Sequence, residues 1–239
     1  MSRGLDRGVP ILELDRACPV FDERGLISTE FSFRLMPGEC ALIETRETFR
    51  AALFADLCTG MSPLASGVAR CMGLDWTELG EREVWALRGR VGRIATKGAW
   101  VDLFGTHMNI MMPQLHHTRT STARIVDEAQ RLGQRFGLPG LPVLPPTRLS
   151  AMDLRRASCV RAFLGEPSLL LLEEPVHEQP LDLYQAFLEV MTNARDRGAA
   201  VIWFASDPAV WRGYCGATTR RLRLIEEGLF SMKGEPCSD

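Results

Sequence analysis

Apolar and polar positions along the chain alternate between a two-residue and a near-four-residue period, which predicts short strands separated by amphipathic helices. Residues 11–14 and 31–35 predict two strands, the second strictly alternating. The turn Pro37-Gly38-Glu39 leads into the wholly apolar stretch 40–43, which predicts a buried strand. From Thr45 to Cys58 the spacing of Phe49, Ala52, Leu53 and Leu57 predicts an amphipathic helix, with Gly60 placed to end it. Ser66-Gly67 and Met72-Gly73 bound a further strand over 68–71. A charged helix over 81–90 and a strand over 91–95 follow.

The texture then changes. Residues 98–113 are apolar and aromatic without β alternation, and 121–136 have the spacing of an amphipathic helix. The connector 137–147 carries Pro139, Pro142, Pro145 and Pro146, which exclude regular structure. The expectation is a helical insertion over 97–148 between two core segments, 1–96 and 149–232, with a loose tail at 233–239.

The chain is organised around residues 149–175. This stretch predicts a loop, a helix with a basic face at Arg155, Arg156 and Arg161, and a turn at Glu166-Pro167. Four leucines, 169–172, follow as a buried parallel strand ending in Glu173-Glu174. Acidic groups just beyond such a strand stand where α/β folds place ligand chemistry. A helix over 182–197, a buried strand over 199–205 and a hairpin turning at Glu226-Glu227-Gly228 complete the pattern. Strand–helix alternation with buried strands defines an α/β fold with a mostly parallel sheet flanked by helices.

Composition narrows this little. A formal net charge of −2 gives no case for nucleic acid or an anionic membrane as partner. The seven cysteines form no C-x-x-C pair, and their odd number argues for reduced thiols in a cytoplasmic setting. No apolar run approaches the roughly 18 residues of a membrane span, and residues 1–8 lack the apolar core of a signal peptide. Work at a membrane therefore implies a partner that supplies the membrane part. The adjacent His116-His117 lack a third ligand at metal spacing and predict a solvent-exposed loop pair, so no metal site is expected. Cys159 predicts a small buried residue rather than a redox thiol.

The order of these signals resembles the nucleotide-binding subunit of ABC transporters over about residues 11–231. The resemblance is carried by Pro37-Gly38-Glu39, Ser66-Gly67, Gly73-x-Asp75, Val91-Gly92, Leu149-Ser150, Arg155-Arg156, Arg161-Ala162, Glu166-Pro167 and Glu174-Pro175. Gly98-Ala99, Met108-Asn109, Gly137-Leu138-x-Gly140 and Leu149-Ser150-x-Met152 are most similar to subunits of Mla-type lipid transport systems. The resemblance implies a P-loop NTPase core, an N-terminal antiparallel β region, a helical subdomain, a dimer and a membrane permease as partner. It also implies a P-loop, G-x-x-x-x-G-K-[ST], whose small residues, Lys and hydroxyl hold phosphate and Mg²⁺. Here those positions hold Thr45, Thr48 and Arg50, with Ala51 at the lysine and Ala52 at the metal ligand. Arg50 is expected to be an ordinary exposed helix residue, with a charge offered to an anion as the lesser alternative. The family's Q-loop glutamine falls on Thr96 and its late histidine on Ser206.

The acidic pair is Glu173-Glu174 where the family has Asp-Glu, so the base position is kept. Without lysine and hydroxyl opposite, the two read as solvated carboxylates or helix-capping anions. The signature Leu-Ser-Gly-Gly becomes Ser150-Ala151-Met152-Asp153, in which Met152 blocks close backbone approach and Asp153 opposes phosphate while favouring its own helix. The expectation is a catalytically degenerate subunit, not an enzyme, with neither ATP nor Mg²⁺ as cofactor. It would be a structural or regulatory partner of a permease at the cytoplasmic face of a membrane, in lipid transport, paired with a paralogue or a second copy. The alternatives are an asymmetric half that supports turnover by an active paralogue through Ser150, and a regulator that binds another ligand in the cleft. Trp100, Val101, Leu103 and Phe104 are the expected permease contact, with packing of the helical insertion as the equal alternative.

Overall fold

A computed structural model describes residues 8–20, 29–96, 100–212, 214, 216 and 218–232. In chain order the elements are β1 (Leu12–Pro19), β2 (Phe31–Leu35), β3 (Cys40–Glu44), α1 (Thr48–Cys58), β4 (Leu64–Cys71), β5 (Leu74–Asp75), α2 (Glu81–Arg88) and β6 (Val91–Ile94). They continue as α3 (Thr106–His117), α4 (Thr122–Arg135), α5 (Ala151–Phe163), β7 (Leu169–Glu173), α6 (Leu181–Asp196), β8 (Ala200–Ala205), β9 (Thr219–Ile225) and β10 (Gly228–Ser231).

The strands form two sheets, β10-β9-β3-β8-β7-β6 and β2-β1-β4-β5. In the first, β9, β3, β8, β7 and β6 run parallel and β10 returns antiparallel along β9. The three central strands are buried along their whole length, which is why they read as continuous apolar runs. Alternate side chains serve opposite cores. Leu42, Leu170, Leu172, Val201 and Trp203 pack under α3, α4, α5 and α6. Ala41, Ile43, Leu169, Leu171, Ile202 and Phe204 face α1 and the antiparallel sheet.

Several boundaries move. The first strand runs on to Pro19 through a register shift, with Arg16 at positive φ (47°), so the polar break at Asp15-Arg16 is a bulge inside the strand rather than its end. Gly67 faces that bulge at φ 76°, and a β-carbon there would lie 1.9 Å from the Arg16 carbonyl oxygen. The helix α1 begins at Thr48, three residues later than its spacing suggested. The apolar stretch before residue 113 ends in α3, which continues past Pro113 to His117. The two histidines thus close a helix instead of lying in a loop, with ring centroids 4.7 Å apart. The expected tail at 233–239, Gly98-Ala99 of the resemblance and the start of the insertion at 97 lie outside the described residues.

Candidate functional site

The β3–α1 connection is only Thr45-Arg46-Glu47. Thr45 is buried, and its N–H donates to the Ala205 carbonyl at 3.0 Å, which ties the loop to the end of β8. Thr48 opens the helix in solvent. Arg50 is not the exposed residue expected: its side chain is 11% accessible, paired with Glu47 and 3.6 Å from Glu226. Its guanidinium lines a cleft of about 420 Å³ together with Arg46, Arg223, Glu44 and Glu227. Within that cleft Arg223 is paired with Glu44 at 2.9 Å. Ala51 is buried, and the Ala52 carbonyl accepts from Arg93 at 3.2 Å.

Arg93 joins α1 to the acidic pair. Leaving the middle of β6, its guanidinium donates to Glu173 at 2.8–2.9 Å and to Asp56 at 2.5 Å. The other Glu173 oxygen accepts from the backbone N–H and hydroxyl of Thr96, at 3.1 and 3.3 Å. Burial pulls Arg93 toward the neutral form, but Glu173 and Asp56 outweigh it and hold the guanidinium above its ordinary value. Glu173 is 1% exposed and Glu174 is also buried, so neither is the solvated carboxylate expected. A buried carboxylate needs such partners to remain ionised. Glu174 sits at positive φ (47°), where it accepts from the Ser206 N–H at 2.5 Å and lies 3.9 Å from His177. Thus Thr96 and Ser206 each hold one carboxylate of the pair, a role their positions in the sequence did not reveal.

At the start of α5 the Ser150 hydroxyl caps its own helix. It accepts from the Asp153 N–H at 3.0 Å and donates to the Asp153 carboxylate at 2.8 Å. Ala151 is exposed, and Met152 packs on the helical core. Arg156 ties this helix to the Gly137 carbonyl (2.7 Å) and Asp182 (2.9 Å). Cys159 is fully buried on the same helix, and burial pushes its thiol up to about 12. Among the described residues, no cluster of three metal-ligating side chains forms.

A groove of about 960 Å³ opens beside Arg93 and Glu173, between α1, the end of α2 and α3. Phe49, Leu53, Val101 and Met112 give it apolar walls. The loop before α3 is clasped by Asn109, which is buried. Its carboxamide accepts from the Val101 N–H (2.8 Å) and donates toward the carbonyls of Val101, Phe104 and Gly105. Trp100 lies 4.2 Å from the Arg161 guanidinium, whereas Leu103 is 92% exposed and Phe104 about half exposed. Only Val101 of the four expected contact residues lines the groove. Asn109→Ala leaves one N–H and three carbonyls without this clasp, so the expected loss is about 2 kcal/mol. Hydrogen exchange at the Val101 amide should rise toward that of exposed backbone. Unchanged protection there would refute the clasp.

This arrangement, with a short loop between β3 and α1, paired carboxylates after β7 and a second antiparallel sheet, is the ABC-type P-loop fold. An ATP-binding cassette dimer solved in a post-hydrolysis state with ADP and Pi superposes at a TM-score of 0.77, with 14% identity over 94% of this chain and 100% of that one. In sequence the chain is similar to the phosphonates import ATP-binding protein PhnC 2 of Synechococcus sp., at 31% identity over 145 residues, 57% of this chain and 54% of that protein. It is also 31% identical over 103 residues to the intermembrane phospholipid transport system ATP-binding protein MlaF of Haemophilus influenzae, 43% of this chain and 39% of that one. The matches thus span about half or less of these curated relatives. No protein-family model matches the chain.

The resemblance to ABC-transporter ATP-binding subunits therefore stands. Two expectations drawn from the altered motifs do not: that the chain is no enzyme, and that it takes neither ATP nor Mg²⁺. The relatives are named as ATP-binding proteins, and the solved neighbour carries ADP and phosphate. Alanine at positions 51 and 52 is a fact of the sequence. It removes two side-chain contacts and does not carry the conclusion that binding is lost.

Proposed function

We propose that the chain is the ATP-binding subunit of an ABC-type membrane transport system. It sits on the cytoplasmic face of a permease and is paired with a second ABC-type subunit, its own copy or a paralogue. The observation that carries this reading is the extent of the fold: both sheets, the short β3–α1 loop and the helices between β6 and β7 are present in one chain. Among the described residues no helix is long and apolar enough to cross a membrane, so the permease supplies the membrane part. The insertion over 97–148 acts as the helical subdomain, and the groove beside Val101 receives the permease. Lipid is the cargo most in keeping with the similarity to MlaF and with Leu149-Ser150-x-Met152.

Nucleotide phosphate must be held here without a P-loop lysine. The cations next to the start of α1 are Arg46 and Arg50, which line one cleft, and the first turn of the helix offers N–H groups. Calorimetric titration of the purified chain with Mg-ATP is expected to give saturable binding. Arg50→Ala is expected to weaken it about tenfold, the loss of one charge-assisted phosphate contact. No heat of binding up to millimolar nucleotide would overturn the ATP part of this reading. Co-purification with a permease tests the rest.

A further inference from the structure

A separate cavity of about 500 Å³ lies at the opposite end of the parallel strands. Glu166 and Pro167, which precede β7, line it, whereas Glu173 closes that strand. The whole of β7, about 16 Å long, therefore stands between this cavity and the acidic pair. Among the described residues five arginines line it, Arg90, Arg124, Arg131, Arg135 and Arg197, against two glutamates. That is a concentrated positive site on a chain whose net charge is −2. Positions 124, 128, 131 and 135 share one flank of α4 at helical spacing, and Arg197 comes from the end of α6. Ile125 and Phe163, which also line the cavity, are buried, so the charges stand over an apolar base that concentrates their field.

The neighbouring carboxylates are already engaged. Glu128 accepts from the Gly165 N–H at 2.8 Å, and Glu166 lies 3.8 Å from Arg197. Arg131 is paired with Asp127 at 2.7 Å, and Arg90 donates to the Ser168 hydroxyl at 2.7 and 3.2 Å. Arg124 and Arg135 are exposed and make no ion pair or side-chain hydrogen bond among the described residues. Arg131 and Arg135 are one turn apart on the same flank, a like-charge pair that destabilises a bare helix. An anion held between them turns that repulsion into attraction.

We infer that this cavity binds a small anion carrying two or more linked phosphate groups, held by Arg124, Arg131, Arg135 and Arg197. Guanidinium forks match phosphate oxygens in charge and in geometry. Arg124 and Arg135 lie about 16 Å apart along the axis of α4, so a chain of linked phosphates engages more of the flank than a single phosphate can. Thr120 and Asn193 add uncharged donors to the lining. The site is distinct from the Arg46–Arg50 cleft and does not rest on the nucleotide reading.

The test is calorimetric titration of inorganic tripolyphosphate into the full chain carrying Arg50→Ala, which weakens the other cationic cleft. Saturable binding is expected, with orthophosphate at least about tenfold weaker. Arg124→Gln and, separately, Arg135→Gln should each weaken tripolyphosphate about tenfold, with the fold checked by circular dichroism. Arg82→Gln, which removes the same charge from an exposed position on α2 outside the cavity, should leave binding unchanged. Absence of saturable binding overturns the inference, and so does affinity retained in both α4 variants. An equal loss in Arg82→Gln would reduce the effect to general charge attraction and overturn it as well. Orthophosphate binding as tightly as tripolyphosphate would remove the case for linked phosphates. Hexaglutamate binding as tightly would assign the cavity to an acidic protein segment and likewise overturn it.

Discussion

Replacing Arg93 with alanine is expected to cost about 3 kcal/mol of folding stability, a thermal shift of roughly 10 °C for a chain of this length. The reason is the charge left behind. Glu173 is 1% exposed and keeps only the Thr96 N–H and hydroxyl once the guanidinium is gone. An uncompensated buried carboxylate is the costly half of a broken ion pair. The lower end of the usual 3–5 kcal/mol applies because the Arg93 and Asp56 side chains are 25% and 30% accessible, so water shares their screening. Arg93→Met combined with Glu173→Gln removes both charges, keeps an acceptor for Thr96, and should recover most of the loss. Urea unfolding of the single and double variants decides it. A single-variant loss under about 1 kcal/mol, or a double variant no better than the single, would sink this account of Arg93.

Arg93 also marks the limit of what the sequence could reveal. The parallel core was legible because β3, β7 and β8 are buried on both faces and leave apolar runs. The acidic pair was legible in place, since it closes such a run, but not in state. Burial of Glu173 depends on a partner 80 residues away, and the one local sign was an arginine inside the otherwise uncharged Val91-Gly92-Arg93-Ile94. Absent side chains at the P-loop positions were also legible, yet the conclusion drawn from them reached too far. Removing lysine says nothing of the guanidinium groups beside the loop, those of Arg46 and Arg50. Ser150 shows the converse: its N-cap bond with Asp153 is local, and a serine three residues before an acidic residue is a capping signal that its reading as a signature serine passed over. The Asn109 clasp lay between these cases, with partners that are near in sequence but use no named motif.

The helix α1 separates two surfaces that its sequence blends, and Phe54 is the residue that does so. Of the four residues that the spacing marked, Phe49, Ala52 and Leu53 line the groove and Leu57 is buried, together with Ala51, Phe54, Ala55 and Cys58. A helix apolar on nearly all sides offers no periodicity to choose between them. Phe54 is fully buried, with ring centroids 5.3 Å from Phe31, 6.3 Å from Phe33 and 6.1 Å from Phe204, so it pins α1 to both sheets at once. Phe54→Ala is expected to cost about 3–5 kcal/mol through lost burial and the cavity left behind, and Phe54→Leu less than about 1.5 kcal/mol. Phe49→Ala, half exposed and earlier in the helix on the other surface, should change stability by no more than about 0.5 kcal/mol. Its effect should appear instead as weaker binding in the groove. Equal destabilisation by Phe49→Ala and Phe54→Ala would show that α1 does not divide core from groove wall, and would remove the physical basis for a groove that is open while the fold beneath it is closed.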